Sequence, residues 1–232
     1  MYISMDTSRI IALRDKLTAL GPQRVWREVR SPDGGLLHPG HGWDEDALPE
    51  DVAVDFTGKR VADLGCNLGH HSFLAVRRGA SEVTGFDMDK DVVEAANELA
   101  DLYGLSEWVR FRAADLLIDP PRESFDLVLF VDIIGRGSIT KGKAENLLRA
   151  VAEMSSGEML HTMRPVYTLD ELRTSKEELA RHYPDRFIRD GRFHLLDYAK
   201  HIYGPEWTAN VLSHCDDLDQ RFKYPVFFTR TG

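Results

Sequence analysis

Cysteine is almost missing from this chain: only Cys66 and Cys215 occur in 232 residues, far apart and outside any metal-ligand spacing. A disulfide framework and a Cys/His metal cluster are therefore not expected, and a reducing, cytoplasmic location is. No window approaches the roughly 18 apolar residues of a membrane span. The opening MYISMDTSRIIALRDKL also lacks the unbroken apolar run of a secretion signal. Low-complexity tracts and internal repeats are absent. Basic residues are the minority, 29 Lys plus Arg against 38 Asp plus Glu, and the formal net charge of −9 gives a surface that repels polyanions on average. DNA is excluded as a default partner. RNA would require a local basic patch, for which Arg77 with Arg78, or Arg136 with Lys141 and Lys143, are the candidates.

What is present is ordinary globular composition, 43% hydrophobic and 29% charged, in an organised order. Ile10, Leu13, Leu17 and Leu20 lie at helical spacing between Thr7 and the stop at Gly21-Pro22, which predicts an amphipathic helix over 7–20. Residues 25–46, VWREVRSPDGGLLHPGHGWDED, carry turn signals at Pro32-Asp33-Gly34-Gly35 and at Pro39-Gly40, which predicts a hairpin or flap. Its Trp26, His38, His41 and Trp43 make it a candidate cover for a site. Residues 1–56 thus read as a helix and flap packed on a core domain, 57–232.

From Lys59 onward strands and helices alternate. Val61–Leu64, Glu82–Phe86, Val109–Arg112, Phe125–Ile134 and Glu158–Met163 read as strands, with helices over Leu68–Arg78, 90–103 and 142–154. Such alternation predicts an α/β, Rossmann-like, doubly wound and mostly parallel seven-stranded sheet. Residues 165–206 read as a helical insertion, with stretches Leu169–His182 and Leu195–Tyr203. Asn210–His214 and Tyr224–Thr229 read as a terminal antiparallel hairpin. Ligands in this architecture bind at the carboxyl ends of the strands, where Gly65 to Gly69, Asp87, Asp115 and Asp132 all fall.

The loop after the first strand, Asp63-Leu64-Gly65-Cys66-Asn67-Leu68-Gly69, lacks the third glycine of a dinucleotide fingerprint. An acidic residue stands two positions before its first Gly, which serves a pyrophosphate poorly and a cation well. S-adenosylmethionine has a sulfonium and an ammonium, no phosphate, and two ribose hydroxyls. Asp63 faces its cationic part. Asp87, about 20 residues on, accepts the ribose hydroxyls, and Asp115 accepts from the adenine amino group. Phe86 and Met88 flank the ring. Gly65, Cys66 (through its backbone), Asn67, Gly69, His70, Ala114 and Val131 complete the candidate cofactor contacts, and no metal is expected.

Residues 59–135 resemble the core of class I S-adenosylmethionine-dependent methyltransferases: D-x-G-x-x-x-G after the first strand, an acidic end to the second, and DLLIDPPRESFDLVLFVDII into the fourth. The chain departs from that pattern at Asn67, where Gly is commonest. DLGCNLGHHSF with RRGA and V-x-G-x-D, together with Trp26 through Gly40, is similar to the branch of tRNA wobble-uridine 5-oxyacetate methyl or carboxymethyl transferases.

Methyl transfer from a sulfonium is an in-line displacement that positioning can largely catalyse. A general base helps an oxygen acceptor, and topology nominates Asp132 and His161, with Arg136 and Arg164 to hold an anionic substrate. The Pro-Pro-Tyr signature of N-methyltransferases is absent after the fourth strand. The leading expectation is methylation of a small molecule at oxygen, releasing S-adenosylhomocysteine. The others are a tRNA wobble-uridine-type modifying enzyme and a non-catalytic cofactor-binding partner subunit.

Overall fold

The computed structural model describes residues 7–41, 54–212 and 222–231. Trp43, Cys215 and the polar turn DDLDQ lie outside them. By its contacts the chain divides into two compact units: residues 1–46 with 55–115, and residues 47–54 with 116–232.

The first unit contains α1 (Thr7–Leu20), the short strands β1 (Val29–Arg30) and β2 (Leu36–His38), then β3 (Arg60–Leu64), α2 (His70–Arg77), β4 (Glu82–Asp87), α3 (Lys90–Leu102) and β5 (Val109–Ala113). Leu13, Leu17 and Leu20 of α1 are buried, and Lys16 on α1 reaches Glu94 (2.9 Å) and Glu98 (2.5 Å) on α3. β1 and β2 pair antiparallel, which is the expected hairpin in a shorter form. Asp89 begins α3, its side chain accepting from Asp91 N and Val92 N at 3.1 and 3.3 Å. This satisfies amides that the first helical turn leaves open. Val92, Val93, Ala96 and Leu99 then turn into the core. Strands β3, β4 and β5 are parallel in sequence order.

The second unit contains β6 (Phe125–Phe130), α4 (Arg136–Thr140), α5 (Ala144–Met154), β7 (Ser155–Met163), β8 (Tyr167–Thr168), α6 (Leu169–Leu172), α7 (Lys176–Leu179), β9 (Ile188–Arg189), β10 (Arg192–Phe193), α8 (Leu195–Tyr203), β11 (Trp207–Val211) and β12 (Tyr224–Arg230). β6 and β7 are parallel, while β12 pairs antiparallel with both β7 and β11. The seven-stranded sheet has the order β11-β12-β7-β6-β3-β4-β5, the Rossmann-like arrangement with a terminal antiparallel hairpin read from the sequence.

Several elements differ from the sequence reading: β6 ends at Phe130, four residues short of Ile134, and β7 begins at Ser155, three residues before Glu158. The stretch 169–182 is two short helices, because Arg173 takes a left-handed conformation that ends α6 and Ser175 starts a new capping box with Glu178. The helix α4, of only five residues, was too short for any periodic signal. The hairpin strand β11 begins at Trp207, three residues earlier than expected. Among the described residues no helix is long and apolar enough to cross a membrane.

Candidate functional site

Within the first unit the β3 end, its glycine loop and the β4 end form one hydrogen-bonded assembly. Gly65 N and Cys66 N both donate to Phe86 O, at 2.7 and 3.0 Å, and Gly69 N donates to Cys66 O at 2.9 Å. Asn67 N donates to Asp87 Oδ2 at 2.9 Å, and Asp89 N to Asp87 Oδ1 at 3.0 Å. Ala114 N donates to Asp87 O at 2.9 Å, which ties the β5 end to the same corner. The loop therefore spends these amides internally, so they form no open nest for a phosphate.

Asp63 is 2% exposed, and its Oδ2 accepts from Ser72 Oγ at 2.6 Å. Burial pushes its pKa up to about 6, against the pull of the side-chain and backbone hydrogen bonds from Ser72. A buried carboxyl thus occupies the start of α2, where the helix dipole would otherwise invite an anion.

The glycines are needed for space as well as conformation. Gly69 has φ +82°, and a Cβ there would lie 2.3 Å from Phe111 Cζ; a Cβ on Gly85 would lie 2.4 Å from Phe111 Cδ1 and 2.9 Å from Cys66 Sγ. Phe111, unnoticed in the sequence, is the ring that the loop closes over. Cys66 is buried, and burial first, then Asp63 and Asp87, pushes its thiol pKa well up.

Asn67 has φ +47°. The left-handed region favours Gly and tolerates Asn, which accounts for the residue the sequence shows at this position. Its side chain is also used. Nδ2 donates to Arg24 O at 2.8 Å, and Oδ1 accepts from Trp26 N at a long 3.5 Å. Arg24 in turn donates through Nε to Asp89 Oδ2 at 2.6 Å and through Nη2 to Asp89 Oδ1 and to Asp91 Oδ2, the latter at 2.8 Å. Residues 24–26 thus strap the glycine loop to the turn after Asp87. Nothing in the sequence marks Arg24 for this.

Met88 is 72% exposed beside Asp87, but Phe86 is only 1% exposed, with the Arg112 guanidinium over its ring at 5.4 Å. The expectation that Phe86 flanks a ligand is corrected: it is a core residue. His70 is exposed at the start of α2, whereas His71 is buried with Nδ1 unpartnered, and burial lowers its pKa to about 3. Ala114 and Asp115 are half-buried just after β5.

In the second unit Val131 is buried and Asp132 exposed. Asp132 has φ +61°, an uncommon conformation that Asp bears better than most residues. Its N donates to Thr162 Oγ1 at 2.9 Å, while its Oδ1 accepts from Thr162 Oγ1 at 3.3 Å and from Lys223 Nζ at 2.5 Å. Oδ2 makes no hydrogen bond among the described residues.

His161 does not fit the base role read for it. It is 0% exposed, ringed by Phe130, Tyr203 and Phe228, and its Nε2 lies 3.0 Å from Tyr203 Oη. Burial lowers its pKa to about 3, so it is a neutral core histidine. Arg164 is occupied by Glu171 at 3.1 Å and by the Tyr167 ring. Arg136 is exposed and makes no side-chain hydrogen bond or ion pair. Among the described residues no His/Cys/Asp/Glu group could hold a metal ion.

A ribosomal protein L11 methyltransferase of Shewanella sediminis (strain HAW-EB3) is 26% identical over 184 residues, covering 75% of this chain and 58% of that protein. The one from Aliivibrio salmonicida (strain LFI1238) is 33% identical over 91 residues, 35% of this chain and 31% of that protein. The chain thus spans little more than half, or less, of the relatives it matches. Magnesium protoporphyrin IX methyltransferase from Synechocystis PCC 6803, crystallised with bound S-adenosylhomocysteine, shares the fold at TM-score 0.51 and 17% identity, with 76% of each chain covered. Its form with bound S-adenosylmethionine gives 0.50. The family described as "Methyltransferase domain" matches residues 55–200, and the chain belongs to that family.

Proposed function

We propose that this protein transfers the methyl group of S-adenosylmethionine to an oxygen of a small-molecule acceptor. The observation that carries the donor is the state of the glycine loop: Gly65, Cys66, Asn67 and Gly69 have spent their amides on Phe86, Asp87 and Cys66, and a buried Asp63 sits at the start of α2. A pyrophosphate would meet filled donors and negative charge; a sulfonium cofactor has no phosphate and is attracted. Asp87, held by two amides with lone pairs to spare, takes the ribose hydroxyls, Asp115 the adenine amine, and Met88 lies along the ring. Gly65, Cys66, Asn67, Gly69, His70, Ala114 and Val131 are assigned to the remaining cofactor surface. Asp132, with an open Oδ2, takes the proton of the acceptor, so that the attacking oxygen forms its bond to carbon as the carbon–sulfur bond breaks.

Binding and turnover separate the parts of this reading. S-adenosylmethionine and S-adenosylhomocysteine should each raise the melting temperature and NAD should not; equal shifts with NAD would remove the donor assignment. Asp87→Ala should abolish most of the shift, and unchanged affinity would remove the ribose assignment. Asp132→Asn should lower kcat about 100-fold, within the usual range for a general base, with donor affinity kept. The relatives named for ribosomal protein L11 point to a protein acceptor, and the resemblance to the wobble-uridine branch to an RNA. A radiolabelled donor incubated with ribosomal protein, tRNA and a metabolite extract distinguishes these, with label in the small-molecule fraction as the expected result.

A further inference from the structure

The second unit has a cavity of about 480 Å³ lined by Arg136 and Thr140 of α4, Arg173 at the end of α6, and Glu178, Arg181 and His182 of the α7 region, over buried Leu172. It is an open concavity, and the elements around it are tied together. Tyr183, next to His182, is buried and donates to Ile139 O of α4 at 2.8 Å, and Tyr167 Oη donates to Ile134 O at 3.4 Å. Gly142 has φ +68°, and a Cβ there would stand 2.5 Å from His182 Nδ1, so backbone presses on one edge of the imidazole. Arg173 stands at φ +53° where it ends α6, so the turn that closes the helix fixes its backbone at the rim.

The charge of this cavity is out of character for the chain. Three arginines and one glutamate line it, a surplus of two positive charges, in a protein whose formal net charge is −9. The carboxylate is already engaged: Glu178 Oε2 accepts from Ser175 N at 3.0 Å and from Thr174 Oγ1 at 2.9 Å. Among the described residues, Arg136, Arg173 and Arg181 make no side-chain hydrogen bond and no ion pair. Arg24, Arg149, Arg164 and Arg189 by contrast each pair with a carboxylate. Arg181 acts on Glu178 through its charge, helping to lower that carboxyl's pKa after the hydrogen bonds from Ser175 and Thr174, and gathering guanidinium groups in excess of carboxylate around one hollow is unfavourable until an oxyanion is bound.

We propose that this cavity is an oxyanion site that takes the phosphate monoester group of a small molecule. The surplus of two positive charges matches a dianion, planar guanidinium forks suit tetrahedral oxygens, and the volume is that of a small-ligand pocket. The net charge of −9 works against a long polyanion at the same place. Arg136 follows Asp132 by four residues, so a phosphate held there would anchor the acceptor of the methyl group. That last role rests on the methyltransferase reading, while phosphate binding does not.

Calorimetric titration of the full chain with inorganic phosphate, at constant ionic strength, tests the site, with acetate and a short single-stranded RNA as parallel titrants. The expected result is one saturable phosphate site, weakened at least about tenfold in R173Q/R181Q and partly restored in R173K/R181K, as charged hydrogen bonds are lost and regained. Melting temperature and S-adenosylmethionine affinity should stay as in the wild type. Non-saturating phosphate uptake, or equal uptake in R173Q/R181Q, overturns the proposal. So does acetate binding as tightly as phosphate, and so does RNA binding more tightly than phosphate with loss in the same variant. Failure of the wild type to bind the methyl donor would overturn the methyltransferase reading and leave the phosphate result standing.

Discussion

Asp63 and His161 show how burial sets the chemistry of single residues. The carboxyl of Asp63 titrates near 3.8 in an unfolded chain and at about 6 in the folded one. Between those values the folded state holds a proton that the unfolded state has lost. The stability this provides is complete below about pH 4 and is lost as pH rises through 6, at up to about 1.4 kcal/mol per pH unit. A cationic donor reverses the preference, because it stabilises the ionised carboxylate. Calorimetry on the wild type should therefore show S-adenosylmethionine affinity rising up to about tenfold per pH unit below pH 6, with a shallower profile in Asp63→Asn. Parallel profiles would remove Asp63 from the donor site. His71 and His161 act in the other sense. Burial lowers both to about 3, so stability is complete above pH 6.5 and falls as pH drops toward 3. Denaturant unfolding between pH 6.5 and 4 should show a smaller acid loss in His161→Gln than in the wild type, by up to about 1.4 kcal/mol per pH unit.

At the scale of elements, the short segment 24–26 matters more than its lack of regular structure implies. Asn67 holds it to the glycine loop through Arg24 O, and Arg24 holds it to the cap of α3 through Asp89. Asn67→Gly keeps the left-handed backbone and deletes the tie, so its cost should be about 1 kcal/mol, the net worth of one hydrogen bond. Asn67→Ala should cost more, because Ala bears φ +47° poorly. Urea unfolding of the two variants checks the order. Trp26, 56% exposed beside this tie, should report loosening of the strap as a fluorescence change in both. The split of residues 169–182 into α6 and α7 is likewise an element-scale event, in which two capping boxes outcompete one longer helix.

For the molecule as a whole, the charge balance limits its partners. A chain with 38 acidic against 29 basic residues should bind an arbitrary RNA oligomer no more tightly than about 10⁻⁴ M at physiological salt, the weak end of the non-specific range. Fluorescence anisotropy measures this directly, and binding well below that value with a steep salt slope would favour the RNA acceptor. The same balance makes the arginine-lined cavity of the second unit conspicuous, since its positive charge is local and cannot be inferred from the total.

Much of the fold was legible because its signals are local. Alternating apolar runs and helical faces announced the sheet and its crossovers, and the terminal hairpin followed from two apolar strands around a polar segment. The glycine loop and the acidic strand ends were legible too, since φ demands and strand-to-loop transitions involve neighbours in sequence. The tertiary structure decided what local pattern cannot encode. Phe86 and His161 sit in apolar runs and could have faced a ligand or the core; packing against Arg112 and Tyr203 put both inside. Lys223 on Asp132 and Arg24 on Asp89 join residues separated by 91 and 65 positions, and Arg136 meets Arg173 and Arg181 only in the folded unit. The sequence by itself determined a Rossmann-like sheet with a loop unsuited to pyrophosphate. Which side chains remain open to chemistry was set by burial and by long-range pairing, quantities that exist only once the chain has packed.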